Sequence, residues 1–327
     1  MALRAPGAQM SAPCVDIVLS VYNGAPWVEE QIQSIQTQTH DAWRLWVRDD
    51  GSEDGTAQIL RRMADADHRI RLRTPGGERM GRARSFSTLL EDLPEDARLI
   101  FTADADDSWL PSKIEVSLNE MREAEGEAPG PILLHTDLAV TDARLEVLHD
   151  SLWSFLGIEP EPTPLRRIMV QNVATGPTVL VNREMLDLIL PIPPEAASQD
   201  WWMALVACRF GRIVALDDVT VLYRRHGGNV TGEYEVEGPA WRARLRRGVG
   251  ALGRTGKLRR EMAQAATQAA AFLDRYNPQL TDAECAMLRD FAEIPHLGTL
   301  ARKVRVLRLR MLREHGVLRN LALVLRA

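Results

Sequence analysis

Residues 99–113 read LIFTADADDSWLPSK: an apolar run that stops on four residues carrying three carboxylates. Residues 99–103 have the length and content of a strand buried on both faces, and Asp104, Ala105, Asp106 and Asp107 follow at its C-terminal end. Pro111 then opens a helical pattern with Ile114, Leu118 and Met121 on one face; proline suits a first helical turn, where its missing N–H has no partner to lose. The same alternation runs upstream. Residues 15–22 (VDIVLSVY) form a strand, and 26–38 a helix with Val28, Ile32 and Ile35 at helical spacing. Residues 44–47 form a strand that ends in Asp49-Asp50-Gly51, and 54–63 a helix. Residues 69–73 make a short strand and 81–90 a third helix. Strands that alternate with helices predict an α/β fold, a mostly parallel central sheet flanked by helices.

In such sheets ligands bind beyond the C-terminal strand ends. Here those ends carry Tyr22-Asn23, Asp49-Asp50 and the Asp104–Asp107 cluster, so polar and acidic groups converge on one rim. Carboxylates one residue apart in a tight turn suit a hard divalent cation, Mg²⁺ or Mn²⁺, which takes oxygen ligands and shares them with phosphates. A solvated acidic loop is the alternative for the same residues. Asp49 and Asp50 suit a base or ribose, and equally a turn, with Asp54 as a helix N-cap. Asp200 precedes Trp201 and Trp202, where desolvation raises a carboxyl toward the range of a general base; a plain helix-start Asp is the alternative. His226 is a candidate metal ligand or phosphate contact, and Arg82, Arg84, Arg224 and Arg225 are candidate phosphate partners; a structural His and solvated surface arginines are the alternatives.

The second half is less regular. Strands are expected at 132–136, 177–181, 213–216 and 219–223, and a helix at 200–210. The three cysteines, Cys14, Cys208 and Cys285, are widely spaced and form no CxxC pair, which speaks against a zinc or disulfide framework and for a reducing, cytoplasmic compartment. With 45% hydrophobic and 26% charged residues the chain is expected to build a sizeable core. No uncharged apolar run approaches the ~18 residues a membrane helix needs. Residues 1–240 hold 22 Lys and Arg against 38 Asp and Glu, a net of −16; residues 241–327 hold 18 against 7, a net of +11. An acidic body with a basic, helix-patterned tail assigns the tail its own partner. Arg-rich segments with Val304, Leu307, Met311 and Val317 interleaved fit an anionic inner-leaflet membrane surface, making the protein peripheral there, or a packing extension with a solvated basic face. Nucleic acid is disfavoured, since stacking aromatics are not interleaved with the basic residues. The expected division is a flexible 1–13, an α/β domain over 14–235 and a basic helical C-terminal extension over 236–327.

Six segments together resemble one family: VLSVYNG (18–24), SIQTQTH (34–40), VRDDGSEDGT (47–56), DADDSWLPSK (104–113), QDWWMALVA (199–207) and YRRHGGNV (223–230). In this order the sequence resembles family 2 glycosyltransferases of the GT-A (nucleotide-diphospho-sugar transferase) fold, in particular a rhamnosyltransferase-like branch. The resemblance implies an inverting transfer from a dTDP- or UDP-sugar to a glycan or lipid-linked acceptor in cell-surface polysaccharide assembly, with Mg²⁺ or Mn²⁺ as cofactor. By position it assigns Val21, Tyr22, Asn23, Asp49, Asp50, Arg84, Asp104, Ala105 and Asp106 to the nucleotide-sugar, Asp106, Asp107 and His226 to the metal, and Asp200 to the catalytic base. Trp109 and Lys113 match the spacing that follows the family's DxD, and Gln199 stands where relatives carry an acidic residue or His. A nucleotidyltransferase would need a Gly-rich phosphate loop that VYNGAPWVEE does not supply, and a dehydrogenase would need a GxGxxG after a strand. A non-catalytic sugar-nucleotide scaffold would not need Asp200 and all three clustered carboxylates.

Overall fold

A computed structural model describes residues 13–73, 79–158, 160, 164–226 and 255–309. Strand β1 (Val15–Val21) is buried along almost its whole length, as its run of Val, Ile and Leu requires. Its one charge, Asp16, is fully buried and satisfied: Arg44 donates from Nε (2.8 Å) and Nη2 (2.9 Å), and the Trp46 indole donates at 2.7 Å. A buried carboxylate of this kind is tolerated because each oxygen has donors.

After β1 come α1 (Val28–Gln36), β2 (Trp43–Asp49), α2 (Thr56–Ala66), β3 (Ile70–Arg73), α3 (Arg82–Glu91), β4 (Leu99–Ala103), β5 (Ser108–Trp109), α4 (Lys113–Glu127), β6 (Ile132–Thr141) and β7 (Val147–His149). Then follow α5 (Leu152–Leu156), α6 (Leu165–Ile168), β8 (Val179–Asn182), α7 (Arg183–Ile189), α8 (Gln199–Phe210) and β9 (Arg212–Arg224). Three helices close the described chain: α9 (Thr255–Tyr276), α10 (Asp282–Ala292) and α11 (Thr299–Arg308).

The strands form one sheet in the order β3-β2-β1-β4-β8-β6-β9-β5, with β7 on the edge of β6. β1, β2, β3, β4, β6 and β9 run one way; β5, β7 and β8 run against them. The chain steps from β1 outward to β2 and β3, then returns to place β4 on the other side of β1. That reversal opens a crevice above the ends of β1 and β4, the usual ligand position in such sheets.

The first six elements match their expected spans closely. The second half differs where short-range signals mislead. Residues 213–216 and 219–223 are one strand, β9; the exposed pair Asp217-Asp218 that reads as a break is a bulge, since Thr136 faces Leu216 while the next residue, Asp137, faces Val219. Residues 177–181 begin as a turn of 3₁₀ helix over Gly176–Thr178, and pairing starts only at Val179, beyond Pro177, which has no N–H to donate. β5 and β7, of two and three residues, carry too little pattern to be read in advance.

Apolar clusters fill both faces of the sheet. One holds α1, α2 and α4; the other holds α3, α8 and the C-terminal helices. α8 is apolar nearly all round because it is enclosed: Trp202 is fully buried, with Phe272 of α9 edge-on to its ring and Tyr276 stacked. The C-terminal helices thus complete the core beside the helix that carries Asp200. No described helix is long and apolar enough to cross a membrane. The three cysteines are free thiols. Residues 1–12, the run 227–230 and, within the basic tail, 236–254 and 310–327, with Met311 and Val317, lie outside the described residues.

Candidate active site

The turn after β4 brings Asp104, Asp106 and Asp107 together, each with a carboxylate oxygen within 4.8 Å of the others. Asp107 is fully buried: Oδ1 accepts the Arg224 N–H at 3.1 Å, while Oδ2 has no hydrogen-bond partner among the described residues. Burial pushes the Asp107 carboxyl well above the usual carboxylate range, with the charges of Asp106 and Asp104 adding to it. Asp106 is raised for the same reasons, opposed by the His226 imidazole, which meets its Oδ2 at 2.9 Å. An orphaned buried oxygen inside a cluster of mutually repelling carboxylates fits a hard divalent cation, whose charge would relieve both penalties.

Arg82, in the first turn of α3, forms an ion pair with Asp104, which holds its guanidinium charge more firmly than usual. Arg84, two residues on, is exposed and on the other side of the helix, so of the two arginines Arg82 is the one that reaches the acidic cluster.

The β1 and β2 ends form a second wall. Asp50 is buried, and its two oxygens accept the backbone N–H groups of Met80 (2.9 Å) and Gly81 (2.8 Å) at the entry to α3. Asp49 accepts the Ser52 N–H at 2.9 Å, the turn chemistry that the sequence left open. Asn23 sits at φ 49, a left-handed conformation that Asn tolerates, and its side-chain oxygen accepts the Glu53 N–H at 3.0 Å. Tyr22 is exposed beneath the Arg79 guanidinium, 3.8 Å from its ring centroid. Gly24 allows the β1 end to pack against the acidic turn: a Cβ there would lie 2.7 Å from Val21 Cγ1 and 3.5 Å from Ala105 Cβ. Val21 itself is buried.

Asp200 opens α8 behind the Ser198 N-cap. Its Oδ2 accepts from Asn172 Nδ2 (3.0 Å) and the Gly176 N–H (3.1 Å), and Oδ1 accepts the Trp201 N–H at 3.0 Å. Burial nonetheless pushes its carboxyl up, against hydrogen bonds and the Arg82 charge that favour ionisation. Gly176 joins the two acidic groups. Its N–H holds Asp200, its carbonyl accepts from Thr102 of β4 at 2.5 Å, and a Cβ on it would lie 3.8 Å from Asp104 Oδ2. Neither Gly176 nor Asn172 stands in a motif; only the Gly-Pro pair marks a turn there, which signals a bend and not a role.

The β9 end closes the site. The buried Arg224 donates to the Asp106 carbonyl (2.9 Å), the Ala143 carbonyl (2.7 Å) and Glu30 (2.5 Å), and its guanidinium lies 4.5 Å from the Trp27 ring. His226 stacks on the same indole at 5.5 Å. Arg224 is thus a positioning residue for the acidic turn, held by α1, and not a surface phosphate contact.

Lys113 lies behind Asp107, fully buried, with Nζ 3.2 Å from Thr220 Oγ1 and 4.9 Å from the Trp109 ring centroid. Burial pushes its ammonium down to about 7. An unfolded Lys titrates near ~10.4, so below about pH 7 the folded chain carries the full penalty, and the penalty fades as pH rises toward ~10. Lys113→Met is therefore expected to raise the unfolding free energy at neutral pH by about 2 kcal/mol, after a discount for the donor that Thr220 loses, with a smaller gain at pH ~9.5. Urea unfolding at the two pH values checks this; a loss of stability at neutral pH contradicts it.

The geometry has counterparts among solved structures. The S. aureus TarS 1–349 structure superposes with a TM-score of 0.54 at 14% identity, covering 95% of this chain and 90% of that one. The same protein in complex with UDP-GlcNAc gives 0.53 at 15% identity, covering 95% and 90%. At these identities the likeness defines the fold, which is GT-A. The family model described as glycosyl transferase family 2 matches residues 16–152 of this chain. The acidic cluster after β4 fits its DxD motif. Among curated relatives, the putative teichuronic acid biosynthesis glycosyltransferase TuaG of Bacillus subtilis is 32% identical over 111 residues, 34% of this chain and 43% of that protein. The Escherichia coli UDP-Glc:alpha-D-GlcNAc-diphosphoundecaprenol beta-1,3-glucosyltransferase WfgD is 32% identical over 107 residues, 33% and 40% respectively. The matched segment spans less than half the length of either relative.

Proposed function

We propose that the protein is an inverting, divalent-metal-dependent glycosyltransferase that moves a sugar from a nucleoside diphosphate to a hydroxyl of a glycan or lipid-linked acceptor in cell-surface polysaccharide assembly. The observation that carries this reading is Gly176, whose backbone binds the general-base candidate Asp200 and lies against Asp104 of the acidic cluster. One crevice thus brings together a carboxylate set suited to a diphosphate-bound cation and a carboxyl with its proton affinity raised. The relatives TuaG, a putative teichuronic acid biosynthesis glycosyltransferase, and WfgD, a GlcNAc-diphosphoundecaprenol glucosyltransferase, support the substrate class. A dTDP-rhamnose donor rests on the motif resemblance.

In this reading the nucleotide lies over the β1 and β2 ends, along Val21, Tyr22, Asn23, Asp49 and Asp50. Asp50 acts there through its carboxylate's hold on the Met80–Gly81 backbone. Asp104, Asp106 and Asp107 would hold Mg²⁺ or Mn²⁺, with His226 on Asp106; when bound, the ion supplies positive charge against a leaving diphosphate. Arg82 exchanges its Asp104 partner for a phosphate oxygen. Asp200 takes the proton of the acceptor hydroxyl as that oxygen forms a bond to the anomeric carbon. The bond from that carbon to the diphosphate breaks, and the nucleoside diphosphate leaves with the electron pair. Base and leaving group sit on opposite faces of the sugar, which inverts its configuration. The three hydrogen bonds on Asp200 fix its direction, and its raised proton affinity suits a base working near neutral pH.

The test is turnover of UDP-, dTDP- and GDP-sugars by the full chain, read as nucleoside diphosphate released to water or to a simple acceptor, with Mn²⁺ and with chelator. Release from one nucleotide class, lost with chelator, is the expected result. No release from any donor by a folded, nucleotide-binding protein would favour the scaffold reading.

A further inference from the structure

The described chain exposes six large hydrophobic side chains, and three of them sit on one helix: Leu300 (77% exposed), Val304 (57%) and Leu307 (54%) of α11. At 3.6 residues per turn these three fall within about 60° of arc. The opposite side of the helix holds it to the protein. Val306 is fully buried and Leu309 packs on the core. Arg302 donates to the Leu297 carbonyl at 2.8 Å, and Arg305 donates to Asp290 at 2.5 Å. The apolar stripe is therefore not the packing face of the helix but a second face, turned away from the core.

Lys303 and Arg308 flank the stripe, one on each side, and neither pairs with an acidic side chain among the described residues. No acidic residue occurs in 299–309, and Glu314 is the one acidic residue in 299–327. We infer that α11 docks the protein on an anionic bilayer, the stripe of Leu300, Val304 and Leu307 entering the acyl boundary while Lys303 and Arg308 meet lipid phosphates. Apolar residues between basic flanks are what an interfacial helix needs. Long basic side chains cover the stripe's edges with their stems and keep their charges at headgroup depth. A second copy of the same helix fits less well, because it sets Lys303 and Arg308 against their own kind. The helix is also tied to the catalytic body. α9 to α11 share one core with α8, where Gln268 of α9 accepts the Ala197 N–H at 2.9 Å, three residues before Asp200. The inference itself does not depend on the transferase reading, and its test is independent of it.

The experiment is co-sedimentation of the full chain with phosphatidylcholine vesicles and with vesicles carrying roughly one-third phosphatidylglycerol, a composition that supplies the negative surface potential. Wild type is expected to bind the anionic vesicles at least about tenfold more tightly, with the difference lost at high salt. The pair Lys303→Glu and Arg308→Glu is expected to weaken that binding by about tenfold or more. The triple Leu300→Gln, Val304→Gln and Leu307→Gln is expected to do the same by removing the inserted area. All five positions lie off the packing face, so thermal midpoints should stay at the wild-type value. Equal binding to both vesicle types, or binding that survives in both variants, overturns the inference. So does a dimer in light scattering that the triple variant dissociates while wild type binds no vesicle, which would assign the stripe to a second copy.

Discussion

Asp200→Asn is expected to lower kcat by about 10³-fold, the middle of the range for loss of a general base, while the donor nucleotide still binds. The substitution keeps the shape of the side chain. Its carbonyl oxygen can take the place of Oδ2, which accepts from Asn172 and Gly176, so the orientation survives. Its amide nitrogen then faces the Trp201 N–H, which loses an acceptor, at a cost of about 1 kcal/mol in stability. The separation of effects is the signature: a small change in midpoint, a near-normal nucleotide response and a collapsed turnover. The pH profile adds a second signature. Because burial raises the Asp200 carboxyl, the acid limb of kcat/KM in the wild type should fall above the ~4 of an ordinary Asp. Steady-state kinetics across pH, with a nucleotide-binding control, check both; turnover within a few-fold of wild type would remove Asp200 from the mechanism.

Asp106→Asn is expected to act in two opposite directions. With metal present, it should weaken Mn²⁺-dependent binding of a nucleoside diphosphate by at least about 100-fold, since even groups outside the ligand set change metal affinity by ~10–100-fold. Without metal it should stabilise the fold. The Asp106 and Asp107 carboxyls are both raised, by burial first and then by neighbouring charge. Above the ordinary carboxylate range, the unfolded chain has released protons that the folded chain still holds. Metal-free stability therefore falls as pH rises through that window. Removing one of the repelling charges flattens the decline. Thermal midpoints from acid to neutral pH, with Mn²⁺ and with chelator, read both effects. A destabilised metal-free variant would show that Asp106 is a structural carboxylate and not part of a cation site.

Much of this was legible in the sequence, and the limits have physical causes. β4 and its acidic turn were readable because a buried strand must be apolar and a charge ends it abruptly. The GT-A fold followed from that strand, its upstream repeats and the motif resemblance. What binds the site together was not readable. Gly176 and Asn172 reach Asp200 across 24 and 28 residues, with no period or motif to mark them. Arg82 and Arg84 are equivalent in the sequence until the helix fixes which side faces the cluster. Arg224 looked like a surface cation, yet its guanidinium is buried between Glu30, Trp27 and two carbonyls. In the tail, the sequence placed Val304 and Leu307 in an apolar stripe, but only the fold of α11 separates that open stripe from the buried Val306.

The most direct test of the central claim is the thermal midpoint of the wild-type full chain with UDP, dTDP, GDP and CMP, each with and without Mn²⁺. A ligand that binds only the folded state raises the midpoint by mass action. A metal-dependent transferase predicts that one nucleoside diphosphate raises it by several degrees in Mn²⁺, and that chelator abolishes the shift. No shift with any nucleotide, or a shift that is unchanged by chelator, would contradict the assignment of Asp104, Asp106 and Asp107 as a cation site for a nucleoside diphosphate.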